Sequence, residues 1–279
     1  MDVYVDGELW FAAGASPSFK VDGKRFSPEG SLHLLKQTNS TGTDSYGSFA
    51  ITTWSWAHTG EMIPCFVTAV RSYEDALMFE QHFPSGLNQS KSGDEDQLIS
   101  AFPSFALPTS DGAPSRAFLS YQGDMVGSNA KARLWTPNGT KSGIGSGNKG
   151  SGPLCVFSTA LDRSVVLSSA SSFMVASQLN AGSTLSYGFM GSIESIPTGH
   201  SVEFLLSYAP SGPNAAMTAW GDKLLARYGK ERHAAWSRDM TLQRLGYSTD
   251  NGAFCASACG LDPPARESSL LPLPAPLTQ

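Results

Sequence analysis

The chain has 279 residues, of which 41% are hydrophobic and 15% charged, and its formal net charge is −5. A weakly acidic chain offers no basic face to nucleic acid, and no apolar run reaches the roughly 18 residues that span a membrane. The 28 glycines, together with 15 Phe, 8 Tyr and 6 Trp, favour many short strands joined by turns over a helical bundle. The composition therefore predicts a mainly β protein.

The first two hundred or so residues predict strands joined by tight turns. Asp6-Gly7 and Asp22-Gly23 lie between alternating apolar residues, which is a strong hairpin signal. Residues 84–97 and 136–153 are polar and rich in Gly and Ser, and they predict surface loops. Strands at this spacing predict a large β-sandwich. The main predicted strands are Val3–Val5, Leu9–Phe11, Phe19–Val21, Leu32–Leu35, Tyr46–Trp56, Phe66–Tyr73, Ala76–Phe83, Leu154–Phe157, Ser164–Leu167, Phe173–Ala176, Leu185–Ile193 and Val202–Tyr208.

The pattern changes after residue 210. Apolar residues recur there at three- and four-residue steps, which predicts one amphipathic helix over 214–232 that begins at the start signal Ser211-Gly212-Pro213. A short apolar segment, Leu242–Asp250, predicts a strand. No periodic pattern survives after Phe254, and the five prolines that follow indicate a disordered tail. This tail is either natural or the translation of an intron or shifted frame, and we favour the second interpretation.

The cysteines and histidines predict neither a metal site nor a cofactor. Cys255 and Cys259 have CxxxC spacing, but no second pair of ligands follows them, and no two histidines have HxH or HExxH spacing. Cys65 and Cys155 are interpreted as buried free thiols. The glycine-rich residues 143–152 lack the following helix and the GK[ST] ending of a phosphate-binding loop.

Carboxylates and aromatic rings are the groups that sugar chemistry would use. Asp250 closes a short apolar segment and precedes Asn251-Gly252, so it is either a substrate-facing residue at the end of a barrel strand or part of a tight turn. Four tryptophans are candidates for stacking on sugar rings, with ordinary sandwich core as the alternative. These are Trp10, Trp54, Trp56 and Trp135.

Three sequons, at Asn39, Asn88 and Asn138, predict glycosylation sites in polar, turn-like stretches. The first residues, Met1–Gly14, lack the basic and apolar regions of a signal peptide. Glycosylation takes place in the secretory pathway, so sequons without a signal peptide are in conflict. An N-terminus that lies upstream of Met1 would resolve this conflict.

Three runs between residues 214 and 254 carry a family resemblance, namely Asn214–Met217 (NAAM), Ala219–Leu225 (AWGDKLL) and Leu242–Phe254 (LQRLGYSTDNGAF). They resemble the junction between sandwich and barrel in glycoside-hydrolase-like proteins from eukaryotic microbes, and the third is similar in position to the first barrel strand of α-galactosidases and raffinose synthases. Three upstream stretches are consistent with the sandwich of the same proteins. These are Phe102–Phe105, Val165–Ser168 and Ile196–His200.

The resemblance implies a galactose-mutarotase-like sandwich followed by a (β/α)8 barrel. By position, Asp250 would contact substrate, and the catalytic carboxylates would lie on later barrel strands, beyond the end of this sequence. Phe254-Cys255-Ala256 stands where the family has tyrosines. We expect a sandwich over 1–210, a linking helical segment over 211–240, a remnant first barrel strand over 241–254 and a Pro-rich tail over 255–279.

The main hypothesis is therefore a truncated, N-terminal, non-catalytic fragment of a glycoside-hydrolase-like protein. Its intact relatives would act on α-glycosides with two carboxylates. The alternatives are a carbohydrate-binding module and a purely structural domain that self-associates through an uncovered helix face, including Trp220 and Leu224. Carbohydrate is the expected partner, rather than nucleic acid or a membrane. For the full-length relative, the secretory pathway or the extracellular space is expected.

Overall fold

A computed structural model describes residues 1–93, 97–106, 116–121, 130–135, 152–160, 162–181 and 184–246. It confirms a mainly β protein built as a sandwich. The strands are β1 Val3–Val5, β2 Glu8–Ala13, β3 Ser18–Val21, β4 Lys24–Phe26, β5 Leu32–Asp44, β6 Gly47–His58, β7 Phe66–Ser72, β8 Ala76–Phe83, β9 Leu87–Asn88, β10 Ser100–Ala101, β11 Ser104–Ala106, β12 Arg116–Tyr121, β13 Ala130–Trp135, β14 Leu154–Ser158, β15 Ser164–Ser169, β16 Ala176–Ala181, β17 Thr184–Phe189, β18 Ser195–Ile196 and β19 His200–Ala209. The helices are α1 Gly212–Arg227, a 3-10 turn at Ala234–Arg238, and α2 Met240–Gln243.

Two large antiparallel sheets enclose one hydrophobic core. The larger has the strand order β13-β12-β14-β15-β19-β8-β7-β6-β5, and the smaller has the order β1-β2-β11-β17-β16. Phe79 and Phe204 from the larger sheet meet Phe11, Phe105 and Phe189 from the smaller one in a single buried cluster. We call the side of the larger sheet that carries this cluster its inner face, and the opposite side its outer face.

The predicted hairpin turns form as expected. Asp6 and Gly7 have φ angles of 50° and 79°, and Asp22 and Gly23 have φ angles of 49° and 71°. Two consecutive residues with positive φ are what a type I′ turn requires, and Asp-Gly adopts them at low cost. These turns join β1 to β2 and β3 to β4.

Helix α1 packs on the outer face of β14, β15 and β19. Ala216 is buried beside Cys155 and Val166, while Trp220 and Leu224 are half-buried against the sheet. The expectation of an uncovered helix face that includes Trp220 and Leu224 is therefore wrong. Small and apolar side chains on the outer face of the central strands need a cover, and α1 supplies it.

Several strands differ from the sequence prediction. Residues 173–175 form a turn, so the strand predicted from Phe173 begins only at Ala176. The polar loop predicted over 84–97 contains β9, with Leu87 and Ser90 buried. The prediction also missed the part of β5 beyond Leu35, which has no apolar alternation and is held as a strand by pairing with β6.

The chain divides at Lys230 into two compact units. The first, Met1–Lys230, holds the sandwich and α1. In the second, Met240–Gln243 form a helical turn where the sequence predicted the start of a strand at Leu242. Residues 247–250 and the predicted tail, 255–279, lie outside the described residues. The proposed remnant barrel strand and the division of the chain at 210, 240 and 254 therefore stay predictions.

Candidate functional site

The tryptophans predicted to stack on sugars fall into three environments. Trp10 is 1% exposed and lies beneath the guanidinium of Arg116, 4.9 Å from the ring centroid, so it is a core residue and cannot form a platform. Trp54 and Trp56 are half-buried on the inner face of β6, where Trp56 Nε1 donates to Thr68 Oγ1 at 3.1 Å. Trp135 belongs to β13, and its side chain lies outside the described part of the structure.

The remaining predicted residues are either outside the described chain or on its surface. Those outside the described residues are Asp250, Cys255, Cys259 and Asn138. Asn39 and Asn88 are exposed, but they lie in strands β5 and β9 and not in turns. The two sequons keep accessible side chains, and their glycosylation stays a prediction.

Cys65 and Cys155 are both free thiols. Cys155 is buried in the sheet under α1, and burial raises the pKa of its thiol to about 12. Cys65 is half-buried, and burial also raises its thiol pKa. Within the described ranges, no group of three His, Cys, Asp or Glu side chains is placed to hold a metal ion, and no helix is long and apolar enough to cross a membrane.

Two neighbouring recesses open at one end of the sandwich. The first, of about 400 Å³, lies between β1 and the turn that joins β7 to β8. The second, of about 420 Å³, lies on the other side of β7, over the ends of β5 and β6. Both include Ser72, Tyr73 and Glu74 in their walls, so we call the two together the end groove.

Three contacts fix the wall of the first recess. Asp2 Oδ1 accepts a hydrogen bond from the backbone N–H of Ala13 at 2.7 Å, which ties the start of the chain to β2. Tyr208 donates its hydroxyl to Asp6 Oδ2 at 2.9 Å, joining β19 to the β1–β2 turn. Asp75 Oδ1 lies 2.7 Å from Nζ of Lys223 on α1. The groove is thus held by elements far apart in sequence.

Tyr73 anchors the boundary between the two recesses. Its hydroxyl donates to Asp44 Oδ2 at 2.6 Å, and its ring packs against Tyr46 and Phe49 with centroids 5.6 and 5.5 Å away. Burial, followed by the bond to Asp44, raises the pKa of Tyr73, so its phenol stays neutral at physiological pH. The β5–β6 hairpin is therefore fastened to the β7–β8 turn.

The lining of the end groove is rich in acceptors and hydroxyls. It carries the carboxylates of Asp2, Asp6, Glu74 and Asp75, the phenols of Tyr4, Tyr73 and Tyr208, and the hydroxyls of Thr41, Thr43, Ser48 and Ser72. The described residues of the lining include no Lys, Arg or His. Tyr4 is 59% exposed and offers a ring face to a ligand. Such a surface suits a neutral ligand with many hydroxyl donors and repels phosphate.

The groove carboxylates are not placed as general acids. A carboxyl group that must carry a proton near neutral pH needs apolar surroundings. Asp6 instead accepts from Tyr208, Asp75 pairs with Lys223, and Glu74 is exposed. Among the described acidic residues only Glu203 is buried, and it lies on the outer face between Arg71 and Arg227.

No protein-family model matches the chain, and no curated protein matches its sequence. A glycoside hydrolase family 97 enzyme from Pseudoalteromonas sp. strain K8, solved with acarbose, is 9% identical with a TM-score of 0.46, over 75% of this chain and 32% of its own. The α-N-acetylgalactosaminidase NagBb from Bifidobacterium bifidum, solved with Gal-NHAc-DNJ, is 11% identical with a TM-score of 0.48, over 81% of this chain and 36% of its own.

No family is shown by these likenesses. At TM-scores below 0.5 they assign neither an activity nor a ligand to this chain. The chain spans about a third of the length of each of these proteins.

Sequence reasoning missed the end groove. The sequence predicts Asp6 only as a turn residue, and Tyr4 and Tyr208 only as parts of the strands Val3–Val5 and Val202–Tyr208. Tyr208 and Asp6 are 202 residues apart in the chain, so no spacing rule connects them. The only usable signal was the abundance of hydroxyl and aromatic residues.

Proposed function

We propose that this chain is the non-catalytic β-sandwich part of a glycoside-hydrolase-like carbohydrate-active protein, and that its end groove binds a neutral saccharide. The lining of the groove carries the proposal, because it combines carboxylate acceptors, hydroxyls and tyrosine rings without a cation among its described residues. The resemblance of residues 214–254 to a sandwich–barrel junction supports the enzyme class.

The chemistry of the groove lining matches that of a saccharide. Sugar hydroxyls donate to carboxylates in charge-assisted hydrogen bonds, which are stronger than neutral ones. The C–H faces of a sugar ring pack on an exposed aromatic ring such as that of Tyr4. Each recess lies within the roughly 300–1,000 Å³ of small-ligand sites. Phosphorylated ligands are disfavoured, since their charge would meet the carboxylates of Asp2, Asp6 and Glu74.

The non-catalytic part of the proposal rests on the missing general acid in the groove. Glycoside hydrolysis needs one carboxyl group to protonate the leaving oxygen and a second carboxylate to act as nucleophile or base. The groove carboxylates are solvated, hydrogen-bonded or ion-paired. In the proposed intact protein, catalysis belongs to later barrel strands, and Asp250 would be a substrate contact.

Binding is tested by titrating maltotriose and melibiose into the full chain in a calorimeter. We expect Asp6→Asn to raise the Kd about tenfold, because a hydrogen bond to a charged group is worth about 1.5–3 kcal/mol. We expect Tyr4→Ala to raise it about fivefold through the loss of ring stacking, which is worth about 1 kcal/mol.

Matched controls exist for both substitutions. Asp22→Asn changes the same position of the other Asp-Gly turn, and Tyr228→Ala removes a tyrosine of comparable exposure that lies outside the groove lining. Both controls should bind like the wild type. Absence of saccharide binding at millimolar concentration, or equal affinity in all four variants, would reject the groove as the site.

Catalysis is tested separately with aryl α-galactosides and aryl α-glucosides. We expect the full chain to release aryl alcohol no faster than uncatalysed hydrolysis in buffer, since the groove lacks a general acid. Turnover that Asp250→Ala abolishes would contradict the non-catalytic assignment while leaving saccharide binding by the groove intact.

A further inference from the structure

Strand β5 is a long and exposed sheet edge. It is the last strand of the nine-stranded sheet and pairs only with β6 among the described strands. A register shift between Leu34 and Lys36 marks a bulge, and from Lys36 to Asp44 the pairing with β6 is regular. Every residue of this regular part is exposed except the half-buried Gly42. An edge of this kind presents free backbone N–H and C=O groups to another strand.

Most natural edge strands are protected by proline, lysine or a short length. The regular part of β5 contains no proline, and its only charged residues are Lys36 at one end and Asp44 at the other. Neither has an ion-pair partner within the described structure. Asp44 is held in place by Tyr73 Oη at 2.6 Å and by the backbone N–H of Tyr46 at 2.8 Å.

We propose that this edge pairs antiparallel with the same edge of a second copy, around a two-fold axis at Ser40. In this register Lys36 of each copy lies opposite Asp44 of the other, so both charges are paired in one symmetric arrangement. These residues lie on the same face as Gly42, which is opposite the outer-face residue Phe49. Opposite charges directly across two strands stabilise the pairing, and like charges there destabilise it.

The other side chains also fit this register. On the inner face, Gln37 meets Thr43 of the second copy, and Asn39 meets Thr41, so amides face hydroxyls. Nine residues pair over 36–44, which yields about eight to ten backbone hydrogen bonds. The interface is narrow and polar, so it forms a weak dimer below the standard interface size of about 1,600 Å².

The pairing extends the nine-stranded sheet across both copies. A two-fold axis perpendicular to the sheet places the inner faces of both copies on the same side. Thr41 and Thr43 line the recess next to the β5 edge and would lie opposite Asn39 and Gln37 of the second copy, so the two recesses would lie towards opposite ends of the joined sheet. If the groove binds saccharide as proposed above, each dimer would carry two equivalent sites, and avidity would increase only for a ligand long enough to reach both. The pairing itself does not depend on saccharide binding.

Sedimentation velocity of the full chain, from about 10 µM to about 1 mM, tests the proposal. The protein is produced in bacteria, because a glycan at the Asn39 sequon would block this edge; the pairing and glycosylation of Asn39 exclude each other. We expect the wild type to be in concentration-dependent equilibrium between monomer and dimer. Ser40→Lys and Ser40→Glu should each raise the dimer Kd about fivefold, since each introduced charge meets its own copy across the axis.

An equimolar mixture of the two variants should recover a dimer at least as tight as the wild type, because lysine now faces glutamate. Recovery also shows that both variants are folded. Thr53→Lys, which adds the same charge to the same face of the sheet but one strand away from the edge and outside the groove lining, should behave like the wild type. A monomeric wild type at about 1 mM, a dimer insensitive to both changes at Ser40, or a mixture that stays as weak as its components would each overturn the proposal.

Discussion

Replacement of Glu203 by glutamine is expected to lower the free energy of unfolding by about 3 kcal/mol. Glu203 lies on the outer face of β19 with its side chain 8% exposed. Its Oε1 accepts from Arg71 Nη1 at 3.0 Å, and its Oε2 accepts from Arg227 at the end of α1. Removing its charge leaves two cations without their shared partner. Breaking a buried ion pair costs about 3–5 kcal/mol, and the lower end applies here because the side chains of Arg71 and Arg227 are 21% and 38% exposed.

Glu80→Gln is the matched control for this prediction. Glu80 lies directly across from Glu203 on β8 and also contacts Arg71 at 3.0 Å, but its side chain is 23% exposed. We expect Glu80→Gln to lower the free energy of unfolding by about 1 kcal/mol or less, as for solvated ion pairs. Urea unfolding of both variants measures the difference. Equal losses would mean that burial of the carboxylate is not what makes the cluster strong.

The Glu203 cluster also fixes the end of the helix that leads out of the sandwich. Arg227 is the last residue of α1, and Tyr228 beside it donates its hydroxyl to the backbone oxygen of Ala170 at 2.8 Å. Hydrogen exchange of α1 amides should therefore speed up in Glu203→Gln more than in Glu80→Gln. Loss of the ion pair frees the last helical turn before it frees the sheet.

Two buried glutamines should respond to the same substitution with opposite signs. Gln81 on β8 is fully buried, and its Nε2 donates to the backbone oxygens of Phe102 and Tyr187. Gln81→Met leaves the backbone oxygen of Phe102 without this donor, so we expect the free energy of unfolding to fall by about 2 kcal/mol. Gln178 on β16 is 1% exposed, and neither its Oε1 nor its Nε2 has a hydrogen-bond partner among the described residues.

Gln178→Met should therefore raise the free energy of unfolding by about 1–2 kcal/mol, because it removes a buried amide without a hydrogen-bond partner in the described part of the chain. The two variants serve as controls for each other, since residue type, substitution and depth of burial match. Urea unfolding of both decides the sign. If Gln178→Met destabilises the protein as much as Gln81→Met does, a buried water bonds the Gln178 amide and the expectation of a wasted polar group is wrong.

These stability predictions bear on the proposed function because they concern residues of the sandwich that do not line the end groove. Tyr4 and Asp6 of the groove are exposed, and their replacement should change saccharide affinity with little change in stability. Replacement of Glu203 or Gln81 should instead lower stability with little change in saccharide affinity. A variant of either that unfolds more easily but binds saccharide normally while folded would separate the scaffold from the site.

Local chemistry settled those elements that depend on near neighbours in the chain. The Asp6-Gly7 and Asp22-Gly23 turns follow from the low cost of positive φ at these residues. Strands β7 and β8 follow from apolar alternation, and the helix after residue 211 follows from its apolar spacing. In each case the signal and the structure lie within the same ten to fifteen residues, so sequence alone determined a mainly β sandwich with one appended helix.

Tertiary structure alone decided which surfaces are covered and which residues meet. Trp10 and Trp54 look alike in sequence, but packing against the larger sheet, from which Arg116 covers its ring, makes Trp10 a core residue. Residues 36–44 carry no strand signal and are a strand because β6 lies beside them. The contact of Asp6 with Tyr208 and that of Arg71 with Glu203 join residues 202 and 132 positions apart. Such contacts arise from sheet topology and burial, which no local pattern encodes.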